Sequence, residues 1–149
     1  DTRVYRSDAV IALEEPVRVV FVAPREHPLA SRKTVTLAEC AACPFILTEK
    51  GMSYRSQLDE CLARNGLEIQ PFLEIGNPEI IARMVAKGMG LSLLPEFIVA
   101  EHVRRGEIVQ LEVEGFSAGL WRQLIYHKGK WISPAMQAMI DLLCAPRGK

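Results

Sequence analysis

Cys40 and Cys43 form a C-x-x-C pair, the spacing used by thiol redox centres and by half of many zinc sites. A redox pair follows a strand and opens a helix. This one closes a short helical pattern and is followed by Pro44, and there is no second pair to complete a zinc site. Packing is therefore the better reading. Gly88-Met89-Gly90 resembles the start of a nucleotide fingerprint, but it follows a helix and opens a strand, the reverse of the order phosphate binding needs. His27, His102 and His127 are far apart and lack ligand spacing, so neither a metal nor another cofactor is expected. No serine sits in a nucleophile elbow and no HExxH occurs. Nothing here argues for an enzyme.

Helix starts are the remaining chemistry. Ser53, Tyr54 and Arg55 begin one helical pattern, Asn77 and Pro78 a second, and Pro95, Glu96 and Phe97 a third. Free backbone N–H groups at such ends attract carboxylate, sulfate or phosphate. The competing role for Ser53 and Asn77 is to cap their own helices.

The elements around these starts are legible. Asn77 can cap, Pro78 fits the first helical position, and Ile80, Ile81, Met84 and Val85 share a face. Gly88 supplies the stop, and Leu91–Leu94 is an apolar run too short for a helix. Val17–Ala23 is a valine-rich strand bounded by Pro16 and Pro24, and 25–33 is polar and reads as a loop. Thr36 and Glu39 have capping-box spacing. Further strands are expected at Phe45–Leu47, Phe72–Ile75, Ile108–Val113 and Leu120–His127. Helices are expected at Tyr54–Asn65, from Pro95 to Arg104 and from Ser133 onward. The order β-α-β-α-β-α-β-α-β-β-α predicts an α/β fold with a largely parallel sheet. Ligands of such sheets sit beyond the carboxyl ends of strands. Three strand-to-helix connections qualify: Thr48–Ser53, Gly76–Pro78 and Pro95–Phe97.

The 149 residues make about one ordinary domain and are 49% hydrophobic, enough for a real core. With 18 basic and 18 acidic residues the formal charge is zero, so the chain is not expected to grip DNA by itself. No apolar run reaches the roughly 20 residues that span a bilayer, and no membrane partner is expected. Four cysteines in a chain this size fit reduced thiols in a cytoplasmic protein. The start DTRVYRSDAVIALEE is no signal peptide and reads as a fragment of something longer.

Four segments carry a family resemblance. VRVVFVAPREHPLA (Val17–Ala30) resembles the crossover strand and HPLA turn of LysR-type transcriptional regulators. GMSYRSQLDECLARNG (Gly51–Gly66) is similar to the first helix of their second regulatory subdomain. Asn77–Pro95 looks like that family's polar turn, helix, G-x-G and buried strand ending in proline. Arg122–Pro134 resembles the return strand and closing helix. The family combines an amino-terminal winged helix-turn-helix with an effector-binding domain of two subdomains, similar to periplasmic solute-binding proteins of type 2.

The resemblance implies an effector-binding regulatory domain, with one subdomain nearly complete and the other truncated. Residues 21–126 would be subdomain II and residues 1–20 with 127–149 the remnant of subdomain I. The DNA-binding part would be absent from this chain. Met52, Ser53, Tyr54, Asn77, Pro78, Pro95, Glu96 and Phe97 would line the effector cleft, with a hinge near Phe21 and Ile125. Met52 and Tyr54 stand where the family often has small or polar residues, which favours an organic acid over an inorganic anion. A homodimer or homotetramer is expected, touching DNA only through the missing part. The alternatives are an extracytoplasmic solute-binding protein of a transporter and a small α/β enzyme using the C-x-x-C.

Overall fold

The computed structural model describes residues 3 and 6–145. It divides into two compact units, one made of Asp1–Pro16 with Leu120–Lys149 and the other of Val17–Gly119. Two strands run through both, β1 (Ala9–Pro24) and β6 (Ala118–His127), and β6 pairs with β1.

In the unit Val17–Gly119, β1 is the centre of an antiparallel trio. It pairs with β4 (Ser92–Pro95) through Phe21 opposite Leu93, and with β5 (Ile108–Leu111) through Phe21 opposite Leu111. The expected largely parallel sheet is thus corrected, because the strand entering this unit runs against both neighbours. Parallel pairing is confined to β2 (Ile46–Leu47) with β3 (Leu73–Glu74), and to single bridges joining Phe45 to Leu91 and Val35 to Val113. The Phe45–Leu91 bridge sets β3, β2 and β4 side by side and parallel.

β1 starts at Ala9 rather than Val17 and passes straight through Pro16. The polar 25–33 stretch is not wholly irregular. Pro28–Ser31 forms a 3-10 turn, with His27 Nδ1 accepting from the Leu29 N–H at 3.2 Å.

Helices cover the sheet. α1 (Leu37–Ala41) has the expected capping box, the Glu39 N–H donating to Thr36 Oγ1 and the Thr36 N–H to the Glu39 carboxylate. α2 (Ser53–Arg64) buries Tyr54, Leu58, Cys61 and Leu62. α3 (Pro78–Ala86) buries Ile81, Ala82 and Val85 against Val20, Val22, Leu94, Val99 and Ile108. α4 (Glu96–Arg104) contributes Val99 to that cluster. At roughly 25 cal/mol per Å² of apolar surface removed from water, each buried valine, leucine or isoleucine here stabilises the unit by about 2 kcal/mol. α5 (Pro134–Cys144) belongs to the other unit and has no buried residue.

Candidate functional site

Because β3, β2 and β4 are parallel and adjacent, their carboxyl ends share one edge, and α3, α2 and α4 all start there. The three connections singled out in the sequence therefore come together within a single unit. They do not offer the same groups.

α3 is already satisfied. Asn77 Oδ1 accepts from the Glu79 N–H at 2.9 Å and the Ile80 N–H at 3.3 Å, and Pro78 has no N–H to give. Only the Asn77 side-chain NH₂ remains as a donor at that start. α2 is different. Ser53 does not cap it, because Met52 takes the extended conformation (φ −70°, ψ 137°) and the helix begins one residue earlier than a serine cap requires. The Met52 thioether is a weak acceptor and makes no cap bond, so the Ser53, Tyr54 and Arg55 amides have no side-chain cap. α4 starts on Pro95, which also has no capping group, so the Glu96, Phe97 and Ile98 amides are equally bare. The two uncapped starts follow the neighbouring strands β2 and β4, and their partial positive charge accumulates at one edge.

The other expected residues have specific fates. Tyr54 is buried, so it meets the edge with its backbone rather than its ring, and burial pushes its phenol up. Thr48 lies close enough to offset part of that rise, though Tyr54 Oη makes no hydrogen bond. The Glu96 carboxylate turns to Arg18 on β1, 3.4 Å away, and accepts from Gln110 Nε2 at 3.5 Å. Phe97 presents an exposed ring and Met52 a half-buried thioether. The Glu49 carboxylate packs over Gly76 at the edge, where a Cβ would stand 3.2 Å from Oε1.

Arg55 carries more structure than its sequence position suggests. Its side chain is 3% exposed. Nη1 donates to the Thr48 carbonyl at 2.8 Å and to Glu74 Oε1 at 3.1 Å, and Nε donates to Asp59 Oδ1 at 2.9 Å. One guanidinium thus ties the ends of β2 and β3 to the first turns of α2. The available signal was the i,i+4 pair Arg55–Asp59 beside the apolar face of that helix.

Phe21 stands in the sheet interior, edge-on to Phe45 and Phe116 at centroid distances of 6.2 and 4.8 Å. The chain passes between units at Pro16–Val17 and Gly119–Leu120, and Ile125 lies on β6. The cysteine pair is unsuited to redox work. Burial, with Cys43 and Glu39 nearby, pushes the Cys40 thiol up to about 12, and the Cys43 thiol is raised by burial and Glu39. The thiolate that such chemistry requires is disfavoured. Among the described residues no group of three metal-binding side chains occurs, and no helix is long and apolar enough to cross a membrane.

The family model of the LysR substrate binding domain matches residues 10–145. The chain belongs to that family. This LysR substrate-binding domain is 33% identical over 133 residues to the HTH-type transcriptional activator CmpR of Synechocystis, covering 89% of this chain and 43% of the relative. It is 35% identical over 130 residues to the HTH-type regulator YeiE of Escherichia coli K12, covering 86% and 43%. It spans less than half the length of these curated relatives, which are named as transcriptional regulators, not enzymes. Among solved structures it resembles the regulatory domain of Synechocystis CcmR in complex with 2-PG, at 27% identity and TM-score 0.73, covering 92% of this chain and 65% of that one. The effector-binding domain of QuiR in complex with shikimate, at 20% identity and TM-score 0.69, shares the fold, with 94% and 66% covered. The type 2 periplasmic-binding-protein-like fold follows from these neighbours.

Proposed function

We propose that this domain gives a LysR-type DNA-binding transcriptional regulator its response to a small organic acid, and that the acid sits at the carboxyl edge of β3, β2 and β4. The observation that carries this reading is the pair of uncapped helix starts at neighbouring positions on that edge. Their six amides, with the Asn77 NH₂, are donors suited to a carboxylate or phosphate. Glu49 is an acceptor suited to a hydroxyl on the same ligand, and Phe97 and Met52 offer apolar surface to its carbon frame. A hydroxy acid uses all three; an inorganic anion without a proton, such as sulfate, would face Glu49 with nothing to donate.

The similar CcmR domain is solved with 2-PG, which supports a small organic acid as the ligand. Residues 21–126 would form the subdomain that supplies this wall of the cleft, the rest coming from elsewhere in the regulator. Ligand binding favours one orientation of the subdomains over another through its differential contacts. The whole regulator would work in the cytoplasm as a dimer or tetramer. A transporter's solute-binding protein is not favoured, because the relatives are regulators.

The test is titration calorimetry of the chain with 2-PG and a panel of hydroxy acids, repeated with two variants. Asn77→Asp keeps the cap of α3 but replaces the spare donor by a carboxylate. Met52→Asp caps α2 from within the chain. Each is expected to weaken acid binding at least about tenfold, roughly 1.4 kcal/mol. Unchanged affinity in both variants would remove the site from this edge.

A further inference from the structure

Gln57 lies one turn beyond Ser53 on α2, and its side-chain amide meets the peptide of Gly119 at both ends. Nε2 donates to the Gly119 carbonyl at 3.0 Å, and the Gly119 N–H donates to Oε1 at 3.1 Å. Two strand residues exchange the same pair of bonds in a sheet ladder; here a side chain stands in for one peptide. Two bonds fix orientation as well as distance, which a single bond does not.

The place of this clamp is what gives it meaning. Gly119 is the last residue of its unit, and β6 carries the chain on into the other at Leu120. The second passage is close by: a Cβ on Gly119 would find the Val17 carbonyl oxygen at 3.7 Å, and Val17 is the first residue of the unit on β1. The same Gln57 Nε2 also stands 3.5 Å from the carbonyl oxygen of Ser53, the first residue of α2. One side chain therefore touches the helix start that has bare amides and the strand that leaves the unit.

We infer that Gln57 is a positioning residue coupling the start of α2 to β6 at the Gly119–Leu120 passage. An anion drawn to the Ser53–Arg55 amides shifts the first turn of α2, and the two-point clamp carries that shift to the strand joining the units. The direction of the signal rests on the functional reading above; the mechanical coupling does not.

The test therefore uses no effector. Met52→Asp places a carboxylate over the bare α2 amides as a covalent stand-in for a bound anion, and aspartate is a favoured residue at a helix cap. It is made in the native chain and in Gln57→Leu and Gln57→Glu backgrounds; the latter keeps shape but loses the donor. Hydrogen exchange at Gly119 and Leu120 and the emission of Trp121 are recorded, with exchange of Leu58–Arg64 as a control on the fold. With Gln57 present, Met52→Asp is expected to change Gly119 exchange at least about threefold and to shift Trp121 emission. In both Gln57 variants that response is expected to vanish while the α2 core stays protected. A response that persists without Gln57, or none in either background, overturns the coupling. Met52→Asn serves if the aspartate variant folds poorly. Failure of 2-PG to bind would bear on the ligand reading alone.

Discussion

Arg55 shows how a charge can be structural at the end of a strand. Its partners Asp59 and Glu74 are 44% and 36% exposed, so after Arg55→Met they can rehydrate, and the cost stays below that of breaking a fully enclosed pair. The expected loss is about 2 kcal/mol, most of it from the charge-assisted bonds to Thr48 and Glu74; a urea midpoint unchanged from native would contradict this. Cys40 gives a pH prediction. Its thiol has an ordinary value of 9.0 and is pushed to about 12 in the fold. Above pH 9 the unfolded chain therefore holds fewer protons at this site than the native one. Stability from the buried neutral thiol is complete below pH 9 and is lost as pH rises from there toward 12. Cys40→Ala is expected to flatten the alkaline fall of the melting temperature, and native Cys40 to resist disulfide reagents at pH 8. A fall of equal steepness in the variant would show that the thiol does not matter. At this scale the sequence is an incomplete guide, since Asn77 announces its cap by type while the bare amides of α2 depend on which residue turns extended.

The segment from α3 to β4 is where local signals and the fold agree best. Gly88 (φ +82°) closes the helix with no neighbour where a Cβ would be, whereas Gly90 (φ +148°) would drive a Cβ to 2.6 Å from the Pro44 carbonyl oxygen. Gly88→Ala is thus expected to cost about 1–2 kcal/mol through backbone conformation alone. Gly90→Ala should cost at least about 3 kcal/mol, since it pushes apart the parallel approach of β2 and β4. Chemical denaturation would rank the two, and equal costs would mean that the β2–β4 contact yields freely. Helix positions were readable because caps, prolines and apolar spacing are local. The sheet was less so. Alternating strands and helices correctly imply that β2, β3 and β4 run parallel, but nothing local reveals that β1 enters against β4 and β5. Pro16 misleads for a related reason: a proline normally bounds a strand, yet here it sits where β1 passes from one unit to the other.

The chain as a whole is unevenly covered. The unit Val17–Gly119 has a closed core, while α5 in the other unit leaves Met139, Leu142 and Leu143 exposed and Trp131 just ahead of it 77% exposed. Its sequence, PAMQAMIDLLC, has the apolar residues of a helix meant to be covered, and contiguous exposed apolar surface of this kind binds other surfaces. Charge does not oppose this, because 18 basic and 18 acidic residues cancel near neutrality. The matched CcmR regulatory domain is longer, this chain covering 65% of it. The chain alone is therefore expected to bind an apolar dye strongly and to self-associate at micromolar concentration in sedimentation velocity. The pair Met139→Lys and Leu142→Glu should reduce both effects several-fold without altering the melting of the Val17–Gly119 unit. A chain that stays monomeric and dye-silent would show that α5 needs no cover. If the variants suppress association but leave the proposed acid binding at the β3–β2–β4 edge unchanged, the proposed ligand wall stands on a unit that holds its shape independently of how α5 is covered.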